Sequence, residues 1–241
     1  MIQLTPQDRV EWHLERVCRL TASNFKKVIT TTGKLSKSEK CLEYIDKIVA
    51  GVEFRNRVAD GRISLEGMDE FLLQKRMADY TGDSFTGNSH TQRGNDYEPI
   101  ALMALSDKIG MEIREGGICV MGDNPSGLIS ASPDGLIYGL SEPIEGVEVK
   151  SPCLATFNRY VIAGELPEEY ALQVHGSMAV TGLNTWHFGA YFDGMPLFYV
   201  RVDRNEFTDT VERSLREFTT MAAERVHELR AKMAKLEGGA Q

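Results

Sequence analysis

The stretch that decides the reading runs Ala131-Ser132-Pro133-Asp134-Gly135-Leu136-Ile137-Tyr138 and resumes at Gly146-Val147-Glu148-Val149-Lys150-Ser151-Pro152. Its opening has the makings of a tight turn: Pro133 presets φ, Asp134 can bond its own backbone, and Gly135 accepts positive φ. The second part is more pointed. In a strand, Glu148 and Lys150 share one face while Val147 and Val149 share the other. Thirteen residues separate Asp134 from Glu148, enough for a hairpin to lay Asp134 beside the charged face.

Two carboxylates and an ammonium at the end of a largely buried strand are costly unless something compensates them. A hard cation with oxygen ligands does so. Mg²⁺, or Mn²⁺ in its place, would take Asp134, Glu148 and the backbone carbonyl of Val149 and keep several waters. Lys150 would then stand by one of those waters, helping to orient or deprotonate it as it attacks a phosphate in line. A plainer reading stays open, because a surface Glu–Lys pair on an edge strand after an ordinary turn has the same sequence.

Outward from this segment, residues 111–152 break into short β-favouring runs separated by turn signals: Ile113–Met121, Gly127–Ser132, Gly135–Tyr138 and Gly146–Ser151. A helix is expected over Glu168–Thr181, then strands at Thr185–Phe192 and Leu197–Val202 joined at Asp193-Gly194. Upstream, residues 11–29 predict helix in two pieces, with Thr21 or Ser23 capping the second. Residues 38–50 predict an amphipathic helix ended by Gly51, and Leu65–Tyr80 another, stopped by Thr81-Gly82. Residues 81–93, rich in Gly, Ser, Thr and Asn, predict a mobile loop, after which a helix capped by Asp96 runs to about Lys108. From Phe207 to Leu236 apolar residues recur every three or four positions, which makes one long amphipathic helix. The economical fold is α/β of the α+β kind, one central mixed sheet flanked by helices. As a single domain over residues 1–241 it divides into a helical part to about residue 95 with an insertion at 55–93, a sheet core at 96–203 and a closing helix at 204–241.

Composition agrees in most respects. With 42% hydrophobic and 26% charged residues the chain is ordinary for a soluble globular protein. No stretch approaches the ~20 consecutive apolar residues of a membrane span. Met1 to Val10 is too polar for a signal peptide, so a cytosolic location without a membrane partner is expected. Cys18, Cys41, Cys119 and Cys153 are scattered and read as reduced thiols; a four-cysteine iron–sulfur cluster would show close ligand pairs. The net charge of −8 opposes a nucleic-acid partner, since affinity for phosphates rests on Lys and Arg. Carboxylates at a metal centre add to that charge, however, and a basic stripe can coexist with an acidic exterior. Arg16, Arg19, Lys26, Lys27, Lys34, Lys37 and Lys40 supply local positive density, or simply a solvated surface.

Four collinear segments carry a family resemblance. They are Trp12-His13 with Arg16 and Thr21-Ala22-Ser23; Gly94 with Tyr97 and Glu98; the Asp134 and Glu148-Val149-Lys150 segments; and Tyr170 with Gln173 and His175. Together, over residues 12–182, the chain resembles the PD-(D/E)xK nuclease superfamily, and within it the lambda-exonuclease (YqaJ-type viral recombinase) family. The resemblance implies a restriction-endonuclease-like core and a Mg²⁺-dependent, processive 5′-to-3′ exonuclease on double-stranded DNA ends. It also implies a homotrimeric ring that works beside a single-strand annealing protein in phage recombination, inside a bacterial host.

Residue by residue, it implies Asp134, Glu148, Lys150, Glu98 and Gln173 as catalytic residues, with Glu98 a ligand to a second metal or through water. It implies a pocket for the 5′-phosphate from Arg16, Ser23, Ser132, His175 and Trp12. An arginine suits a terminal phosphate bidentately, with the two serine hydroxyls donating to its other oxygens. Each has a plainer role: first-turn acid for Glu98, helix cap for Ser23, helix anchor for Trp12. Gln173 and His175, two apart on a helix, point to different sides, and the family commonly has a second Gln where His175 stands. Rival functions are an endonuclease on the same core, a non-catalytic DNA-binding or assembly protein with a decayed core, and an α/β protein unrelated to DNA.

Overall fold

The structure, a computed structural model, describes residues 1–82, 89–122 and 127–238. In chain order these form β1 (Ile2–Leu4), α1 (Arg9–Val17), β2 (Leu20–Thr21), a 3₁₀ helix (Ala22–Lys27), α2 (Glu39–Ala59), α3 (Glu70–Thr81) and α4 (Ser89–Ile109). They continue as β3 (Ile118–Val120), β4 (Ile129–Ala131), β5 (Gly135–Tyr138), β6 (Pro143–Lys150), α5 (Leu154–Ala163), α6 (Glu168–Thr181), β7 (Thr185–Ala190), β8 (Phe198–Asp203) and α7 (Glu206–Gly238).

The expected single sheet is instead two four-stranded sheets, ordered β1-β3-β4-β2 and β5-β6-β7-β8. In each, one neighbouring pair is parallel, β2 with β4 and β6 with β7. The chain changes sheets at Pro133, which has no N–H to give to a ladder. The next ladder bond is already in the second sheet, from Asp134 N to Val147 O at 3.2 Å. Gly135 opens β5 and does not take positive φ as the turn reading expected. Its role is close approach, since a Cβ there would stand 2.3 Å from Ile113 Cγ2.

The second sheet is covered on both faces. On one, Val147, Val149 and Ile137 pack with Ala101 and Leu105 of α4. On the other, Trp186, Phe188 and Val202 pack with Phe157 and Tyr160 of α5 and Val174 and Met178 of α6. Helix α6 also faces the first sheet, where Ala179 and Val180 join Ile129, Ala131, Ile45 and the Val211, Leu215 and Phe218 stripe of α7. A helix wedged between two cores has no polar face, which is why every residue from Val174 to Thr181 is buried.

Several elements end where the sequence places them: β5, α6 and the long α7 agree closely, and α3 stops at Gly82 in the left-handed region. Others do not. Helix α2 runs through Gly51 to Ala59, because Gly51 serves close packing: a Cβ there would meet Val17 O at 2.0 Å. The second piece expected in residues 11–29 is a 3₁₀ helix behind β2; Thr21 precedes it without capping it and accepts from Asn24 instead. Helix α4 starts at Ser89, so Asp96 lies inside it and caps nothing; of the loop expected at 81–93, residues 83–88 lie outside the described residues. β1, β2 and α5 were not anticipated. Cys18, Cys41 and Cys119 are buried free thiols, and Cys153 is exposed. Among the described residues no helix is long and apolar enough to cross a membrane.

Candidate active site

Strand β6 outruns β5, and the candidate site occupies the step between them. The pairing of β5 begins with Gly135 opposite Val147. Beyond it, Asp134 folds its carboxylate across the gap, and Oδ2 accepts the N–H of Val149 at 2.7 Å. The N–H and C=O of one strand residue point to the same side, so the Val149 carbonyl also faces the space past the end of β5. Lys150 O points the other way, accepting from Tyr191 N at 2.8 Å in line with β7. Asp134 is thus tied to a strand across the sheet, and not to its own backbone as in a simple turn.

On the face toward α6, Glu148 is buried, with 1% exposure. Its Oε1 accepts from both the Lys150 ammonium and the Gln173 amide, and its Oε2 has no hydrogen-bond partner. Lys150 Nζ also stands 3.8 Å from Asp134 Oδ2 and 5.6 Å from the centre of the Tyr170 ring. Burial, and then the neighbouring Asp134 charge, push the Glu148 carboxyl up to about 8 against the pull of Lys150. Burial would lower Lys150, but Glu148 and Asp134 outweigh it and raise the ammonium above its ordinary range. Glu98 is raised as well, by burial first and by Asp134 next. Negative charge is therefore in excess here, and a buried carboxylate oxygen is left unpaired.

That chemistry fits a hard cation with oxygen ligands from Asp134, Glu148 and the Val149 carbonyl, the rest of its shell being water. Among the described residues no three His, Cys, Asp or Glu side chains converge as a ready-made metal site. Glu98 therefore acts on Asp134 and Glu148 through space, without completing a three-carboxylate cage.

Next to this cluster, Arg16 at the end of α1 donates from Nη1 to Ser132 Oγ at 2.6 Å. Trp12, one turn earlier, lies between two guanidinium groups, 4.1 Å from Arg16 and 4.4 Å from Arg9 to the ring centre. The indole holds Arg16 by stacking, so Trp12 positions the arginine. Burial brings Arg16 down to about 10, still a cation at neutral pH.

A family model for the YqaJ-like viral recombinase domain matches residues 11–184, which run from within α1 to beyond α6 and contain Arg16, Trp12, Ser132, Asp134, Glu148, Lys150 and Gln173. The chain belongs to this family. In fold the YqaJ-like chain is similar to an alkaline exonuclease, LHK-Exo, from Laribacter hongkongensis. The match covers 94% of this chain and 98% of that one, with TM-score 0.68 and 22% identity. Against LHK-Exo in complex with dAMP the TM-score is 0.69 at 23% identity, with the same coverage. No curated protein matches this chain.

Within this YqaJ-like domain the fold gathers Asp134, Glu148, Lys150 and Gln173 at one point and sets Arg16, Ser132 and Trp12 beside it. Ser23 is exposed at the start of the 3₁₀ helix, its hydroxyl 3.3 Å from that of Thr21. His175 is not brought to the site. The helical turn that aims Gln173 at Glu148 sends His175 to α7, where Nδ1 lies 2.7 Å from Thr208 Oγ1 and the ring meets Phe207 edge-on. Burial lowers its pKa, which suits a neutral imidazole in a core. Sequence reasoning named His13 only as part of a motif, without a role, and passed over Gln74; the two meet across α1 and α3 at 2.7 Å. Residues so far apart in the chain, on two helices that meet only in the fold, give no sequence signal of contact.

Proposed function

We propose that this chain is a Mg²⁺-dependent deoxyribonuclease that degrades one strand of linear double-stranded DNA from the 5′ end. It would leave 3′ single-stranded tails for recombination by annealing. The observation that carries this reading is the unpaired Oε2 of a fully buried Glu148, set beside Asp134, Lys150 and an outward-facing strand carbonyl. Such a group is stable only when something pairs it, and a divalent cation is what its donors fit. Mn²⁺ has the same taste for carboxylate and carbonyl oxygen and would substitute.

When bound, the cation supplies Lewis acidity at the scissile phosphate and makes water more acidic. The residues of the chain do the rest. Asp134 and Glu148 hold the ligand oxygens, and the Gln173 amide fixes the Glu148 carboxylate. Lys150, held as an ammonium, orients the attacking water and stabilises charge gathering on the phosphate oxygens. Arg16 and Ser132, with the Ser23 hydroxyl, would receive the terminal 5′-phosphate, so that the bond one nucleotide inward reaches the carboxylates. Membership in a viral recombinase family supports a phage or prophage role; work as a homotrimer beside a single-strand annealing protein in the host cytoplasm is part of the same proposal. LHK-Exo, alike in fold, is an alkaline exonuclease crystallised with dAMP.

The test uses linear duplex with a 5′-phosphate, the same duplex with a 5′-hydroxyl, and a closed circle, each with Mg²⁺ or EDTA. The 5′-phosphorylated duplex is expected to disappear fastest and only with Mg²⁺. Circles cut as fast as linear DNA would replace the exonuclease with an endonuclease.

A further inference from the structure

Helix α3 lies in the segment at 55–93 for which the sequence offers no role, and it walls a cavity of about 210 Å³ with α1 and α2. His13 and Arg16 line it from α1, Tyr44 and Ile48 from α2, and Gln74 and Met77 from α3. Asp134, Glu148 and Lys150 do not line it. Arg16 is the divider: its guanidinium reaches Ser132 beside the carboxylates and also borders the cavity. On the reading of Arg16 given above, the cavity is therefore what a strand would meet on the 5′ side of the phosphate held there.

The lining says what could fill it. Gln74 is 7% exposed; its Nε2 is turned to His13 Nε2 at 2.7 Å and Glu70 Oε1 at 3.1 Å. That leaves Oε1, on the other side of the amide, buried without a partner. A buried acceptor of this kind calls for a donor from a ligand. Around it are the apolar side chains of Ile48 and Met77 and the ring of Tyr44. Flat apolar faces with N–H groups at the edge are the chemistry of a nucleobase. Arg16, Arg19 and Lys47 also line the cavity, so a phosphate is the rival occupant that a 5′-triphosphate end tests. The volume is below the ~300 Å³ of drug-sized pockets, which suits one base.

We propose that this cavity receives the base of a single unpaired nucleotide lying 5′ of the phosphate at Arg16, so that the protein accepts ends with a one-nucleotide 5′ overhang. The inference rests on the nuclease reading for its catalytic consequence, though not for binding. With the extra nucleotide seated, water adds to phosphorus, the P–O3′ bond breaks and the leaving 3′-oxygen takes the proton. The first product is then a 5′-phosphorylated dinucleotide, and the shortened strand keeps its 5′-phosphate.

The experiment compares a 5′-phosphorylated blunt duplex with the same duplex carrying one unpaired 5′ nucleotide. First-turnover products are identified by mass spectrometry with Mg²⁺, and binding is followed by fluorescence anisotropy in EDTA. The overhang is expected to give dinucleotide first. Ala78→Phe, which fills the cavity from α3, is expected to weaken overhang binding and dinucleotide release about tenfold or more while the blunt end is processed as before. If that variant does not fold, Gln74→Leu, which removes the acceptor, takes its place and should lower overhang binding alone. Mononucleotide as the first overhang product, equal binding of the two duplexes by wild type, or tighter binding of a blunt 5′-triphosphate end overturns the proposal. If neither duplex is cut, the nuclease reading fails, and the anisotropy comparison still decides the cavity.

Discussion

Replacing Glu148 with Gln should change how the metal-free protein responds to pH more than it changes the fold. In the folded chain, burial raises the Glu148 carboxyl from 4.5 to about 8. Between those values the unfolded chain has released the proton and the folded chain keeps it, so stability falls as pH rises through the window. At ~1.4 kcal/mol for each pH unit, the full loss by pH 8 is about 5 kcal/mol. Lys150 is raised from an ordinary value already above the window, so its contribution is constant across it and leaves the slope unchanged. Glutamine has the same shape and can still accept from Lys150 and Gln173, but it cannot ionise. Thermal unfolding in EDTA should show the two proteins alike at pH 5. By pH 8 the wild type should melt lower by as much as about 10–20 °C, since ~1 kcal/mol is worth about 2–4 °C in a chain this size. Mg²⁺ at pH 8 should raise the melting temperature of the wild type and leave Glu148→Gln unmoved. Parallel melting curves from pH 5 to 8 in EDTA would refute the reasoning, because they would mean that the buried carboxyl titrates normally.

Three further outcomes follow from the packing. Gly51→Ala, which in a free helix would gain about 1 kcal/mol, should instead lose roughly 1–3 kcal/mol by denaturant unfolding, because its Cβ has only 2.0 Å to Val17 O. Trp12→Ala should raise KM for 5′-phosphorylated ends by about 3- to 30-fold, the worth of a cation–π contact, with kcat little changed; an equal fall in kcat would make Trp12 part of the chemistry. His175→Phe should lower the melting temperature through the lost Thr208 bond while the preference for a 5′-phosphate over a 5′-hydroxyl stays the same, and loss of that preference would return His175 to the phosphate pocket.

The core of the candidate site was legible because its signal is local. Alternation along one strand puts Glu148 and Lys150 on a common face, and a hairpin connection brings Asp134 to them; both are short-range geometry. Gln173 and His175 were separable by helical spacing alone, and the structure sends the first to Glu148 on β6 and the second to Thr208 on α7. The division into two sheets was hidden because Pro133 signals a turn equally well within a hairpin and between sheets; the difference lies in which partner Asp134 finds. Gly51 misled for a similar reason. Glycine ends a helix or lets another chain approach it, and only the position of Val17 decides between them. The wall made by α3 was out of reach altogether, since Gln74 meets His13 through tertiary packing that no periodicity encodes.

The most direct test of the account is cleavage of a linear, 5′-phosphorylated duplex with Mg²⁺ by Asp134→Asn. Asparagine keeps an oxygen for the Val149 N–H and removes only the charge, so the fold should survive and can be checked by the same melting curve. The account predicts a folded protein whose digestion of the duplex falls below detection and whose melting temperature no longer responds to Mg²⁺. Digestion at the wild-type rate would place the chemistry elsewhere in the molecule.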